Sequence, residues 1–256
     1  MSFYIGRYAE LYDFFYQDKP YSKEADKINY WLNKYSSKRP LNLLELACGT
    51  GNHSFHLTQF GYHISALDYS KDMIMQAKKK NKTTKTSIDF MRGDMRKLPE
   101  FKKKFDAAYC LFDSIGYVCT NESIIQVLLE VKKNITKDSI FIFEFWHAPA
   151  MLRHYDPKRE RTLILPNKNR VKRISNTSID YGKNIASVQY DITEYKSNKV
   201  ISHMKETQKN RFFSIPEMQL FLTTTGFTPL KFFDGYSDTD FITDNTWHVV
   251  AIAQRN

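Results

Sequence analysis

The chain has 256 residues, of which 42% are hydrophobic and 15% aromatic, enough for a sizeable buried core, which excludes a disordered protein. Lys and Arg number 38 against 28 Asp and Glu, and the formal net charge of +10 favours an anionic partner over a cationic one. The three cysteines lack the spacing of a disulfide framework or a zinc site, so no metal is expected. The sequence has no apolar run of about 18 residues, so no membrane helix is predicted. Residues 1–7 lack the pattern of a leader peptide. We therefore expect a cytoplasmic protein.

Two helices are predicted at the start of the chain. Apolar residues recur at helical spacing over residues 7–16 and again over residues 22–32. Ser22 stands where it could cap the second helix, because a serine side chain accepts hydrogen bonds from the first free N–H groups of a helix.

From residue 41 onward, short apolar runs alternate with amphipathic stretches. The predicted strands cover residues 41–47, 63–67, 87–91, 105–112 and 139–145, and the predicted helices between them cover residues 52–60, 71–81 and 122–134. This alternation predicts βαβ units with right-handed crossovers and a mostly parallel sheet. Such a sheet binds ligands beyond the carboxyl ends of its strands.

The alternation stops after residue 149. Three segments rich in Ile, Val, Thr and Tyr between residues 170 and 213 predict an antiparallel meander inserted into the α/β core. A further helix at residues 214–222 has Ser214 as its cap, Pro216 in its first turn and Gly226 after its end. The last predicted strands cover residues 228–233 and 247–253. The expected units are lid helices at 1–40, a core at 41–150, the insertion at 151–213 and the rest of the core at 214–256.

The most informative motif is a strand that runs into a glycine turn and a helix, Glu45-Leu-Ala-Cys-Gly49-Thr-Gly51. Glycines in such a turn let a ligand approach the backbone. A dinucleotide fingerprint needs a third glycine where Ser54 stands, which weakens an NAD interpretation. Asp68 ends the next strand, where a carboxylate can accept both hydroxyls of a ribose.

The third strand ends in a similar way. Asp94 follows it and could accept an adenine amine, and the thioether of Met95 could lie on the ring. With these motifs in this order, the sequence resembles the class I S-adenosylmethionine-dependent methyltransferases: residues 45–51 look like the first motif, Asp68 the second, residues 93–95 the third and residues 105–112 the fourth. The resemblance implies a doubly wound, seven-stranded, Rossmann-like α/β fold with a helical lid and an antiparallel insertion.

The resemblance also implies S-adenosylmethionine as the cofactor, S-adenosylhomocysteine as its product, and a set of cofactor-binding residues. These are Tyr16, Tyr21, Glu45, Ala47, Gly49, Thr50, Gly51, His53, Asp68, Tyr69, Met73, Asp94, Met95, Leu111 and Phe112. His53 either touches the methionine end of the cofactor or merely begins its helix.

Residues 12–16, residues 112–117 and the inserted meander together look like the nucleotide-linked aminosugar N-methyltransferases of the desosamine and mycaminose type. This narrower resemblance implies a small, anionic sugar nucleotide as the acceptor. The expected catalytic residues are Tyr16 as a lid over the methyl group, Tyr117 nearest the acceptor, and His147. Trp146, Arg153, Arg170 and Arg173 are candidates for binding the substrate, against the ordinary roles of core packing for Trp146 and a solvated basic face for the arginines.

Three alternatives stay open at this point. A methyltransferase acting on RNA would use the basic charge and the aromatic residues, but residues 113–116 lack the prolines of the exocyclic base-amine motif. Another small molecule could be methylated on oxygen or nitrogen. A non-catalytic scaffold could keep the fold, and the insertion could join two copies as a homodimer.

Overall fold

Two sheets organise the part of the chain that the computed structural model describes, residues 4–84, 86 and 88–256. The helices are α1 (Arg7–Phe15), α2 (Tyr21–Tyr35), α3 (Asn52–Leu57), α4 (Lys71–Thr84), α5 (Asn121–Asn134), α6 (Ala148–His154) and α7 (Ile215–Thr224). The strands are β1 (Asn42–Leu46), β2 (His63–Asp68), β3 (Ile88–Arg92), β4 (Phe105–Cys110), β5 (Ile135–Trp146), β6 (Lys158–Ile164), β7 (Arg170–Asp180), β8 (Ile185–Lys196), β9 (Lys199–Arg211), β10 (Phe227–Asp234) and β11 (His248–Arg255).

The larger sheet has the strand order β10-β11-β5-β4-β1-β2-β3. Strands β1 to β5 pair in parallel, whereas β11 runs antiparallel to both β5 and β10. Apolar side chains of α5 and α7 pack on one face, and those of α2, α3 and α4 pack on the other. Burial on both faces explains why these strands are nearly continuous apolar runs in the sequence. The predicted doubly wound α/β fold is confirmed.

The smaller sheet is an antiparallel meander of β6, β7, β8 and β9 that lies between β5 and α7 in the sequence. The three predicted strands correspond to β7, β8 and β9, and a fourth strand, β6, was missed. This edge strand begins Lys-Arg-Glu-Arg, and five of its seven residues are exposed. Charged residues are common on edge strands, where they hinder pairing with other chains, and they hid the strand pattern here.

Three of the four predicted helix signals hold, and Pro216 is one of them, in the first turn of α7. The Ser214 side chain accepts a hydrogen bond from the Glu217 N–H at 3.4 Å, and Gly226 follows α7 in the left-handed region at φ +81°. Ser22 is not a cap, because α2 already begins at Tyr21, directly after Pro20. Ser87, the predicted start of the third strand, lies outside the described residues.

The lid helix α1 fills the angle between the two sheets. Its side chains Tyr8, Leu11 and Phe15 are buried against Val171 and Ile192 of the meander. Its other side faces the carboxyl ends of the parallel strands, where Tyr12 packs near Met73 of α4. Among the described helices, none is long and apolar enough to cross a membrane.

The turn between β1 and α3 depends on Gly51, so replacing it by alanine tests the fold. A Cβ at this position would lie 2.5 Å from the Phe90 ring, and the backbone φ is +81°. Left-handed strain and overpacking together predict a loss of about 2–5 kcal/mol in the free energy of unfolding.

Gly61→Ala is the matched control in urea unfolding. Gly61 also has a positive φ, +86°, but nothing lies within 4 Å of its Cβ position. Gly61→Ala should therefore lower the free energy of unfolding by only about 1–2 kcal/mol. Equal losses for the two variants would contradict the close packing at Gly51.

Candidate active site

The glycine turn after β1 brings backbone, rather than side chains, to the carboxyl end of the sheet. Ala47, Gly49 and Gly51 all have positive φ, at 53°, 56° and 81°. The Gly51 N–H donates to the Cys48 carbonyl at 2.9 Å, and Gly51 precedes the first residue of α3. The turn therefore leaves a cradle without a Cβ atom at Gly49, where a ligand can approach the main chain.

Asp68 joins this turn to the end of β2. One carboxylate oxygen accepts the Gly49 N–H at 2.9 Å, and the other accepts the Ser70 N–H at 2.7 Å. Burial raises the pKa of Asp68 to about 6, although both backbone hydrogen bonds oppose the shift. Asp68, Tyr69 and Met73 line the main cavity, so the carboxylate has its remaining lone pairs available to a ligand there.

Asp94 and Met95 line the same cavity beyond β3. Arg96 binds the Asp94 carboxylate through Nη2 at 2.6 Å and Nε at 3.0 Å. Hydrogen bonding from Arg96 lowers the pKa of Asp94, so this carboxylate is ionised. A ligand amine at Asp94 would share the carboxylate with Arg96, a competitor that the sequence did not reveal.

The lid helix is fastened directly to the glycine turn by Asp13. One carboxylate oxygen of Asp13 accepts the Thr50 hydroxyl at 2.6 Å and the Asn52 amide at 3.0 Å, and the other accepts Lys80 at 3.0 Å. These contacts hold α1 over the cavity.

Two aromatic rings form the inner surface of this lid. The Tyr16 ring packs edge-to-face on the Phe112 ring at 5.1 Å between centroids, and the Tyr12 ring lies 4.7 Å from that of Tyr16. All three residues line the main cavity.

A small adjoining cavity lies under the turn. The predicted cofactor residues that line it are Tyr21, Glu45, Ala47, Gly49, Thr50, His53, Leu111 and Phe112. Glu45 is buried, accepts a hydrogen bond from Ser54, and has its pKa raised by burial to about 8. His53 is also buried and contacts the Glu24 carboxylate at 2.7 Å, so this ring is already paired within the protein.

The main cavity, of about 740 Å³, continues from the parallel strands to the inner face of the meander. Its volume lies in the range of roughly 300–1,000 Å³ that is usual for ligand sites. Trp146 and Arg173 line this second half, as predicted from the sequence. The Arg173 guanidinium lies 4.4 Å from the Phe15 ring centroid, and its Nη1 is buried without a hydrogen-bond partner among the described residues.

Tyr117 lies at the junction of the two halves and lines the cavity. Its hydroxyl oxygen is 2.6 Å from that of Tyr4, which precedes the lid helix. Burial raises the pKa of Tyr117 well above its usual value, so the hydroxyl is protonated.

Four predicted residues do not line either cavity. His147 is buried and its Nδ1 contacts the Thr246 carbonyl at 3.2 Å, a structural position that argues against a catalytic role. Arg153 pairs with Asp244 at the surface, and the Arg170 guanidinium lies 4.5 Å from the Tyr195 ring centroid. Gly51 lies beneath the turn, where it permits the close packing of Phe90.

Sequence reasoning missed several residues of the acceptor half. The missed residues that line the cavity include Tyr4, Asp113, Tyr155, Arg159, Tyr190 and His248. Asp113 follows β4 as Asp94 follows β3, and that position was the available signal. No sequence signal marks His248, because a single histidine at the start of the last strand belongs to no local pattern.

Asp113, Glu144 and His248 form the one group of side chains in the described ranges whose spacing could also suit a metal ion. Their donor atoms lie within 4.8 Å of one another. His248 Nδ1, however, lies 2.9 Å from Asp113 and 3.1 Å from Glu144, which is an ion-paired arrangement.

Comparisons with known proteins agree with this geometry. The family model described as methyltransferase domain matches residues 43–138. The dTDP-3-amino-3,6-dideoxy-alpha-D-glucopyranose N,N-dimethyltransferase of Streptomyces fradiae is 26% identical over 226 residues, which cover 87% of this chain and 84% of that protein.

Two solved structures share the whole fold. An S-adenosylmethionine-dependent methyltransferase from Clostridium acetobutylicum has a TM-score of 0.82 at 18% identity and covers 97% of this chain and 98% of its own. The sugar N-methyltransferase KedS8 from a Streptoalloteichus species has a TM-score of 0.79 at 20% identity, over 100% of this chain and 97% of its own.

The strand order and the glycine turn are those of the class I methyltransferase fold, which the two solved structures share. The chain carries a methyltransferase domain over residues 43–138 and is an S-adenosylmethionine-dependent methyltransferase, as the sequence motifs predicted. The cavity fits that cofactor, because a carboxylate with free lone pairs, a cradle without a Cβ atom at Gly49 and the Met73 and Met95 side chains border one continuous space.

Proposed function

We propose that this enzyme methylates the amine of a nucleotide-linked sugar. The observation that carries the proposal is the continuous cavity of about 740 Å³ that is lined by Asp68 as well as by Trp146 and Arg173, which offers room for a cofactor and a separate acceptor. The relative from Streptomyces fradiae is named for dimethylating the amine of a dTDP-linked sugar, which supports the same acceptor class.

The first half of the cavity would hold S-adenosylmethionine. Asp68 would accept the ribose hydroxyls, Asp94 and Met95 would contact the adenine, and Gly49 would allow close approach of the methionine part. Tyr21, Thr50 and His53 border the small cavity under the turn and would enclose the end of that part. When bound, the cofactor supplies a methyl group activated by a sulfonium centre.

The lid and the meander would hold the acceptor. Tyr16 lies against Phe112 at the junction of the two halves, where it would orient the acceptor amine and exclude water. Tyr117 would contact the acceptor through its protonated hydroxyl. Proximity and orientation of this kind are worth roughly 7–11 kcal/mol of the barrier, so no strong base is required.

Arg173 would bind the anionic part of the acceptor. Its unpaired Nη1 points to a missing partner, and guanidinium groups form strong, charge-assisted hydrogen bonds with phosphate oxygens. Trp146 would provide a flat apolar surface for the sugar or the base. Arg153 and Arg170 have no part in this proposal, because neither lines the cavity.

The same proposal places the enzyme in the cytoplasm, where sugar nucleotides and the cofactor would both be available. It also includes pairing of two copies through the meander. Ile164 and Val200 support this pairing, because they are exposed at one end of that sheet, at 67% and 58%.

Asp68→Asn tests the ribose contact. The variant should bind S-adenosylhomocysteine more weakly by about 1–3 kcal/mol in calorimetry, because the hydroxyls lose a charged partner. Asp89→Asn, an exposed residue of β3, is the control and should leave the affinity unchanged. Unchanged affinity in Asp68→Asn would remove Asp68 from the site.

The affinity for S-adenosylhomocysteine should also depend on pH in a direction that the pKa of Asp68 determines. Asp68 has a pKa raised to about 6, so its carboxylate is ionised above pH 6 and protonated below it. Binding that needs the carboxylate should weaken as the pH falls through 6, approaching about tenfold per pH unit. This part of the pH dependence should be absent in Asp68→Asn.

Tyr16→Phe tests the lid. Turnover should fall about 10- to 100-fold, since one oriented hydrogen bond is lost, while the affinity for S-adenosylhomocysteine should change less than threefold. Tyr30→Phe, an exposed tyrosine of α2, should behave as wild type. Wild-type turnover in Tyr16→Phe would show that its hydroxyl has no role.

The function itself is tested by methyl transfer from labelled S-adenosylmethionine. Acceptors would be a panel of dTDP-linked aminosugars, the matching sugars with a hydroxyl in place of the amine, and a short RNA. We expect label only in the aminosugars, with a mass gain of one or two methyl groups. Label in the RNA alone, or in the hydroxyl sugars alone, would overturn the proposal.

A further inference from the structure

Three ionisable side chains from separate strands meet at the acceptor end of the cavity. Asp113 follows β4, Glu144 lies on β5, and His248 begins β11. The His248 Nδ1 atom lies 2.9 Å from an Asp113 carboxylate oxygen and 3.1 Å from a Glu144 oxygen. A single N–H is therefore shared between two carboxylates.

Both carboxylates are buried, and Glu144 is held by further hydrogen bonds. Glu144 accepts the Phe112 N–H at 2.8 Å and the Tyr236 hydroxyl at 2.7 Å. The Asp113 and Glu144 side chains are only 3% and 2% exposed. His248 thus has one ring orientation imposed on it, because a rotated ring would take its N–H away from both carboxylates and leave the buried Asp113 carboxylate without that donor.

The other ring nitrogen of His248, Nε2, does not contact these carboxylates. Nε2 makes no hydrogen bond within the described part of the chain, and the side chain is 44% exposed. His248 lines the main cavity together with Trp146 and Trp247. The histidine therefore presents one unused polar atom to the half of the cavity that is left for the acceptor.

The protonation state decides what this atom can do. The charge of Asp113, more than any other group, raises the pKa of His248 to about 11, against the effect of burial. The imidazole is therefore charged at neutral pH, and Nε2 carries a hydrogen. It can donate to an oxygen lone pair, but it cannot accept a proton or pair with an ammonium group.

We propose that His248 is a specificity-determining residue, whose Nε2–H donates a hydrogen bond to an oxygen of the acceptor molecule beside the amine that is methylated. Asp113 and Glu144 are positioning residues that fix the ring. This inference rests on the proposed function for the identity of the methylated amine. The presence of the His248 donor in the cavity does not depend on the proposed function. The oxygen belongs to a hydroxyl or ether group, as a sugar ring offers.

Two isosteric variants separate the two ring nitrogens. His248→Asn keeps an amide N–H near the position of Nδ1, facing the carboxylates, and removes the cavity donor. His248→Gln reaches further and keeps an N–H near the position of Nε2. If Nε2 binds the acceptor, His248→Asn should raise the acceptor KM about 10- to 100-fold, whereas His248→Gln should stay within about fivefold of wild type.

The affinity for S-adenosylhomocysteine, measured by calorimetry, should change less than twofold in either variant, which also shows that the variants are folded. His203→Asn is the control. The His203 Nε2 atom lies 2.8 Å from an Asp191 carboxylate oxygen, and neither residue lines the cavity. Equal effects of His248→Asn and His248→Gln on the acceptor KM would overturn the proposal in favour of a structural role.

The pH profile distinguishes a donor from a general base. With Asp113→Asn the pKa of His248 should fall, so the acceptor KM should increase with pH in a range where wild type is flat. Glu144, Lys19 and Tyr236 also face this cluster and remain in the variant. A wild-type activity limb between pH 6 and 8 that disappears in His248→Asn would instead make His248 a base and overturn the proposal.

Failure of the proposed function can be distinguished from failure of this inference, because the two affect different measurements. If wild-type enzyme labels an acceptor other than an aminosugar, the proposed function falls, and the same variants are compared on that acceptor. If no acceptor is labelled, their affinities for the dTDP-linked aminosugar are compared by calorimetry in the S-adenosylhomocysteine-loaded protein. Undiminished affinity in His248→Asn overturns the inference there.

Discussion

The hydrogen bond from the Gly49 N–H to the Asp68 carboxylate, 2.9 Å long, is the interaction on which the site depends. It fixes the turn after β1 against the end of β2, and the turn can follow this path only because Ala47, Gly49 and Gly51 adopt positive φ. Once the turn is fixed, the backbone forms the floor of a ligand site and Asp68 its polar wall. The cost is a buried carboxylate whose pKa is raised to about 6, which a ligand with hydroxyl donors would offset.

The lid unites the two halves of the cavity. Arg7 at the start of α1 binds Glu194 of the meander at 2.9 Å, and Asp13 in the same helix binds Thr50 of the glycine turn at 2.6 Å. A helix tied at both ends to different sheets cannot cover one half of the cavity without covering the other. Tyr16 follows this helix, at the boundary between the halves. In this position α1 would exclude water from the place where the two ligands would meet.

The sequence was sufficient where a function depends on a local pattern. The fold and the kind of enzyme were predicted from the turn between residue 45 and Gly51, from Asp68 at the end of β2 and from the alternation of strands and helices, because each is determined by neighbours in the chain. Charge alone misled: Arg153 and Arg170 look the same in sequence as Arg173, but only Arg173 lies on the inner face of the meander. The Asp94–Arg96 pair and the Asp113–Glu144–His248 cluster depend on side-chain geometry or on contacts between distant strands, which periodicity does not contain.

A crystal structure of the protein with S-adenosylhomocysteine would test the central claim most directly. The account predicts that both ribose hydroxyls lie within hydrogen-bond distance of Asp68 and that the sulfur lies beside Phe112. The half of the cavity bordered by Trp146, Arg173 and His248 should remain open to an acceptor. An adenosyl group bound in that half, or a ribose that does not contact Asp68, would contradict the assignment of the two halves.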